Sequence, residues 1–99
     1  MSTSFNTDVR KINVTALFAG FKTPGAARRV TPLAFALESG ESHRVAQIRR
    51  VYTDKVGDAL HIHFVVRTGA DRYFDLVYDS KDMTWRMVLE IEDALLFND

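Results

Sequence analysis

The sequence predicts a mostly β domain in which five to six antiparallel strands are bent into a meander, a sandwich or a partial barrel. Three observations carry that reading. Apolar and polar residues alternate at period 2 in residues 11–18, 60–66, 74–78 and 85–91. Clusters of Gly, Pro, Ser, Asp and Glu fall between these runs, where turns are needed. Two successive hairpins of the C-terminal half can also be registered so that both bury the same face.

Taken in order, residues 1–8 are polar and are expected to be a disordered N-terminus, leaving one β-rich domain over 9–99. "KINVTALF" then places Ile12, Val14, Ala16 and Phe18 on one face of a strand. "KTPGAARR" contains Pro24-Gly25 and reads as a connection. Residues 30–37 form the next strand, with Pro32 suited to a strand start or an edge because it has no N–H to give a ladder. "ESGE" is a hairpin turn, Gly40 supplying a positive φ cheaply.

Residues 42–56 admit two readings. Val45, Ile48, Val51, Tyr52 and Val56 recur at helical spacing, with Ser42 and Gly57 placed as caps, which gives an α+β alternative with a helix over 42–56. The same residues are mostly β-branched or aromatic, which favours a strand. A β-bulge near Gln47 would bring Val45 and Ile48 onto one face, and this is the reading adopted.

The C-terminal half forms a three-stranded meander. If Phe64 faces Phe74, then Ile62 faces Leu76 and His63 faces Asp75 on the outer side. Pairing Tyr78 with Trp85 then sets Leu76 against Met87 and Phe74 against Leu89. The expected core is Ile12, Val14, Phe18, Phe35, Ile48, Ile62, Phe64, Phe74, Leu76, Trp85, Met87 and Leu89. Ile91, Ala94 and Leu95 are spaced for a short C-terminal helix.

Val14 to Phe18, then Pro32, Phe35, Gly40, His43, Val45 and Ile48, and finally Trp85 form a sequential pattern. It resembles small bacterial β-domain proteins of unknown function, in which a "P..F…G..(Y/H).V..I" hairpin leads to a late tryptophan strand. The resemblance implies a strongly bent sheet or partly open barrel and implies no activity. This chain departs from the pattern by the segment it adds after the tryptophan strand.

Composition narrows the function. With 99 residues, 46% hydrophobic and 26% charged, the chain has the makeup of a single globular domain. It has no cysteine, which excludes disulfides, thiolate metal sites and thiol nucleophiles. No signal peptide and no membrane-length apolar run are seen, so a cytoplasmic location without membrane contact is expected. Phosphate-binding, metalloprotease and serine-hydrolase signatures are missing, so no enzymatic activity and no cofactor are expected.

Three candidate sites remain. His61 and His63 lie two apart on a strand and could chelate one ion with Asp75, but alternation around Ile62 and Phe64 reads more simply as the wet face of a one-sided sheet. Arg28, Arg29, Arg44, Arg49 and Arg50, with Phe21 and Tyr52, have the ingredients of a nucleic-acid platform, cations for phosphate and rings for bases. A sequence pI near 6.8 argues against a dedicated binder of that kind. Leu95, Leu96 and Phe97 near the terminus suggest self-association. Charge supports it: residues 1–50 carry eight Lys/Arg against three acids, and residues 51–99 five against ten. The expected function is therefore a non-enzymatic binding or assembly module that forms a homodimer. Nucleic-acid binding is the alternative and a His-based metal site the remoter one.

Overall fold

The computed structural model describes residues 10–21 and 28–91. Six antiparallel strands in sequence order close into a barrel: β1 (Arg10–Phe18), β2 (Val30–Leu37), β3 (Ser42–Val56), β4 (Ala59–Thr68), β5 (Tyr73–Asp79) and β6 (Thr84–Ile91). The helix alternative for residues 42–56 is overturned, since they are one long strand. The reason is visible in its ladder. β3 pairs with β4 from Val45↔Thr68 to Val56↔Ala59, and its register shifts twice, between Val45 and Gln47 and between Ile48 and Arg50. Each bulge resets the alternation, so Val45, Ile48 and Val51 all reach the core at a spacing that imitates a helix. The first bulge is the expected one; the second was not anticipated.

Turn chemistry matches local sequence. Gly40 (φ 95°) closes the β2–β3 hairpin, where the Leu37 N–H donates to the Glu41 carbonyl at 2.8 Å. Gly57 (φ 62°) takes the first position of the two-residue β3–β4 turn, where a positive φ suits the twist of the strands. Between β4 and β5 the buried Thr68 hydroxyl accepts from the N–H groups of Ala70 and Arg72, each at 3.3 Å. Between β5 and β6 the Asp79 carboxylate accepts from the N–H groups of Lys81 (2.9 Å) and Asp82 (3.2 Å), an Asx turn.

The core is formed by Ile12, Val30, Phe35, Ile62, Phe64, Val66, Phe74, Leu76 and Met87, with Val14, Ile48, Tyr78 and Trp85 packed against it. Two expected core residues are not there. Phe18 is 60% exposed at the end of β1, touching Tyr78 edge-on, and Leu89 is 47% exposed. The β5–β6 ladder keeps the expected Tyr78↔Trp85 and Leu76↔Met87 pairs, then shifts so that Asp75 meets Leu89 and Phe74 meets Glu90. The added residue turns Leu89 outward. The β4–β5 register also differs from expectation: Phe64 faces Leu76, Ile62 faces Tyr78, and His63 faces Val77. This is a slip of two residues, which keeps every side chain on its face.

Closure is uneven. β1 and β2 pair along their length, but among the described residues β2 meets β3 only through residues 34–36 and β1 meets β6 only through Arg10↔Met87 and Lys11↔Arg86. The barrel is thus a four-stranded wall, β3 to β6, closed by a β1–β2 ribbon held at one end.

Candidate functional site

The outer face of the wall has its polar groups arranged in cross-strand rows. Tyr52 on β3 lies beside His63 on β4, and Asp75 on β5 lies diagonally from His63. The Tyr52 hydroxyl donates to Asp75 Oδ2 at 2.9 Å, and His63 Nδ1 lies 3.1 Å from Asp75 Oδ1. The Tyr52 and His63 rings stack with centroids 4.4 Å apart and planes at 12°, and the Arg50 guanidinium lies 4.9 Å from the Tyr52 ring. Desolvation first, and donation to Asp75 second, push the Tyr52 hydroxyl up to about 12, so it stays a donor.

A second pair lies on the neighbouring row, with His61 Nε2 3.3 Å from Asp79 Oδ2. Desolvation acts to raise the Asp79 carboxyl. The Asp82 and Lys81 N–H groups and the His61 ring outweigh it, leaving that carboxyl below its ordinary value.

This face was expected to be wet, and that is corrected. Val65, Tyr73, Asp75, Val77 and Asp79 are buried. Asp75 and Asp79 tolerate burial because hydroxyl, imidazole and backbone donors satisfy them locally. His61 and His63 are consequently held by two different carboxylates rather than turned toward one point. Among the described residues no group of three or more His, Asp or Glu side chains is arranged to hold a metal ion.

An aspartate hydrogen-bonded to His Nδ1 is the orienting half of a hydrolytic triad. Here Asp75 divides its oxygens between His63 and Tyr52, and no described Ser or Thr hydroxyl bonds the His63 ring. The array fixes three strands to one another.

The candidate arginines fall into separate places. Arg28 and Arg29 precede β2, where Arg29 donates to the Gly20 carbonyl at 3.2 Å. Arg44 pairs with Ala34. Arg49 is the bulged residue and Arg50 faces Val65. Tyr52, expected as a stacking ring, already carries His63 and Arg50. Leu95, Leu96 and Phe97, and the short C-terminal helix, lie outside the described residues, as does the N-terminal segment over 1–8.

Two features were not singled out from sequence. The first is the β1–β2 ribbon. Residues 12–21 and 30–37 contain no charged side chain, in a chain that is 26% charged. They expose Leu17 (49%), Phe18 (60%), Phe21 (75%) and Leu33 (46%). The Val30–Leu33 edge of β2 has no β3 partner. A charge-free stretch of that length was readable, but only the open edge gives it meaning.

The second is a cleft of about 540 Å³ where β1 and β6 part, lined by Lys11, Ile12, Asn13, Val14, Met83, Thr84, Trp85 and Arg86. These are the residues that would pair if the Lys11↔Arg86 register continued. No helix among the described residues is long and apolar enough to cross a membrane. Comparison with family models, curated proteins and solved structures finds no match to this chain.

Proposed function

We propose that the protein is a non-enzymatic assembly module that forms a homodimer through the outer side and open edge of its β1–β2 ribbon. The observation that carries this is the charge-free part of the ribbon beyond Lys11, with four exposed apolar side chains beside a strand edge that has no partner among the described residues. Natural sheets protect open edges with charges, proline or bulges; this edge has no charged side chain and is blunted only by Pro32 and the bulge at Leu33. An uncharged apolar surface is also complementary to its own copy without needing a charge partner, which suits a two-fold interface in which the same patch meets itself. Leu17 and Leu33 lie on the outer side of the ribbon, opposite the core-facing Val14, Ala16 and Phe35.

The test is sedimentation equilibrium on the full chain and on Leu17→Lys/Leu33→Lys. Because both side chains are exposed, the paired change should leave folding nearly intact. The expected result is a dimer that becomes a folded monomer. A monomeric parent, or a variant that still dimerises, would overturn the proposal.

A second reading rests on Arg44, Arg49 and Arg50, all exposed along one strand. Single-stranded nucleic acid tracking that strand would bind with an affinity that falls steeply as salt rises.

A further inference from the structure

We propose that the open seam between β1 and β6 receives one extended segment of a partner protein in which acidic and apolar residues alternate. The two strands start to zip at Arg10↔Met87 and Lys11↔Arg86 and then diverge. Beyond that point Ile12, Asn13 and Val14 keep β2 on one side and have no strand among the described residues on the other. Thr84 and Trp85 keep β5 on one side and are open on the other in the same way. Both lips of the cleft therefore present strand edges, the geometry that accepts a peptide as an added strand.

The side chains along the lips alternate as a strand requires. Ile12, Val14 and Trp85 belong to the core side and form an apolar floor, with Trp85 packed on Tyr78 at 5.0 Å and Phe64 at 5.7 Å. Lys11 and Arg86 stand on the other side, directly opposite each other. Like charges in that position repel, which accounts for the ladder stopping there. Three other cations have acidic partners, Arg72 with Glu41 and Glu90, Arg67 with Asp71, and Lys81 with Asp58. Lys11 and Arg86 have none among the described residues. A carboxylate placed between them converts one repulsion into two charge-assisted hydrogen bonds. A strand carrying it puts its neighbouring apolar residues on the floor, because successive side chains point to opposite faces. The cleft volume is that of an ordinary ligand site.

This site uses the β6 side of β1, whereas the proposed dimer uses the ribbon's outer side and the β2 edge, so either can fail without the other. The test is an NMR titration of the full chain with an octapeptide alternating Glu and Val, and with its Lys-for-Glu counterpart, followed also by Trp85 fluorescence. The expected result is amide shifts at residues 11–14 and 84–86 with the acidic peptide alone. In Lys11→Glu/Arg86→Glu the preference reverses, with roughly a tenfold or greater loss for the acidic peptide. Should that variant not fold, Lys11→Gln/Arg86→Gln serves, with the acidic preference abolished. Equal binding of both peptides, shifts confined to other strands, retained preference in the variants, or no binding would each overturn the proposal.

Discussion

The Tyr52 hydroxyl and the Asp75 carboxylate are 2.9 Å apart although they belong to β3 and β5, with β4 running between them. The bond passes over His63, whose ring stacks on Tyr52 and whose Nδ1 meets the other oxygen of the same carboxylate. Three strands are thus tied by one buried acid. Tyr52→Phe keeps the ring stack and removes only the donor, leaving one carboxylate oxygen unsatisfied. We expect a loss of about 1–2 kcal/mol in unfolding free energy, read from the urea midpoint. An unchanged midpoint would mean that water replaces the hydroxyl without cost.

Leu76 and Leu89 lie on neighbouring strands, on adjacent rungs of the β5–β6 ladder, but in opposite environments, one fully buried and the other half exposed. Leu76→Ala is expected to cost about 2–5 kcal/mol through lost burial and a cavity. Leu89→Ala should stay within about 0.5 kcal/mol of the parent. A large effect at Leu89 would contradict the outward turn made by the bulge.

Arg72 joins three parts of the barrel, reaching Glu41 after β2 and Glu90 on β6 from the β4–β5 turn. The Glu41 carboxyl is held below its ordinary value by His43 and then Arg72, and the Glu90 carboxyl by Arg72. Asp79 is also lowered, by the donors described above. A lowered carboxyl means that the unfolded chain takes up the proton first as pH falls. These groups therefore contribute stability above the ordinary carboxylate range, and that contribution is lost as pH drops through and below about 4. Urea midpoints should fall on this acid limb, and Arg72→Ala should shrink the fall by removing the Glu90 share and part of the Glu41 share. An equal fall in parent and variant would contradict the assignment.

Zinc is expected to leave the thermal midpoint unchanged, because His61 and His63 are engaged with different carboxylates, at 3.3 and 3.1 Å. A rise in midpoint with zinc that disappears in His61→Ala/His63→Ala would show that the two rings can turn to a common ion.

Face patterns were legible in the sequence wherever strands alternate without interruption, as in β4 and β5. Pairing partners were less so. The slip that sets Phe64 against Leu76 instead of Phe74 moves the ladder by two residues, which changes no side chain's face and so leaves no trace in hydrophobic pattern. The Thr68 hydroxyl favours it by organising the four-residue turn between β4 and β5 through two backbone N–H groups. His63 still finds Asp75, diagonally rather than directly across. Bulges were legible only where they repaired a broken pattern, as at Gln47. The one that exposes Leu89 breaks a pattern that looked complete. The ribbon and the seam are not legible in the sequence because each depends on where two strands stop pairing, and that is a property of closure, not of any single run of residues.

The central claim is that the β1–β2 ribbon is covered by a second copy of the chain. Amide hydrogen exchange on the unmodified full chain, at dilute and at concentrated protein, tests it most directly, because exchange reports association and location together. The account predicts that protection at Val30, whose N–H points to the open edge of β2, rises with concentration while β4 and β5 amides stay constant. Protection of the ribbon that does not change with concentration would contradict it.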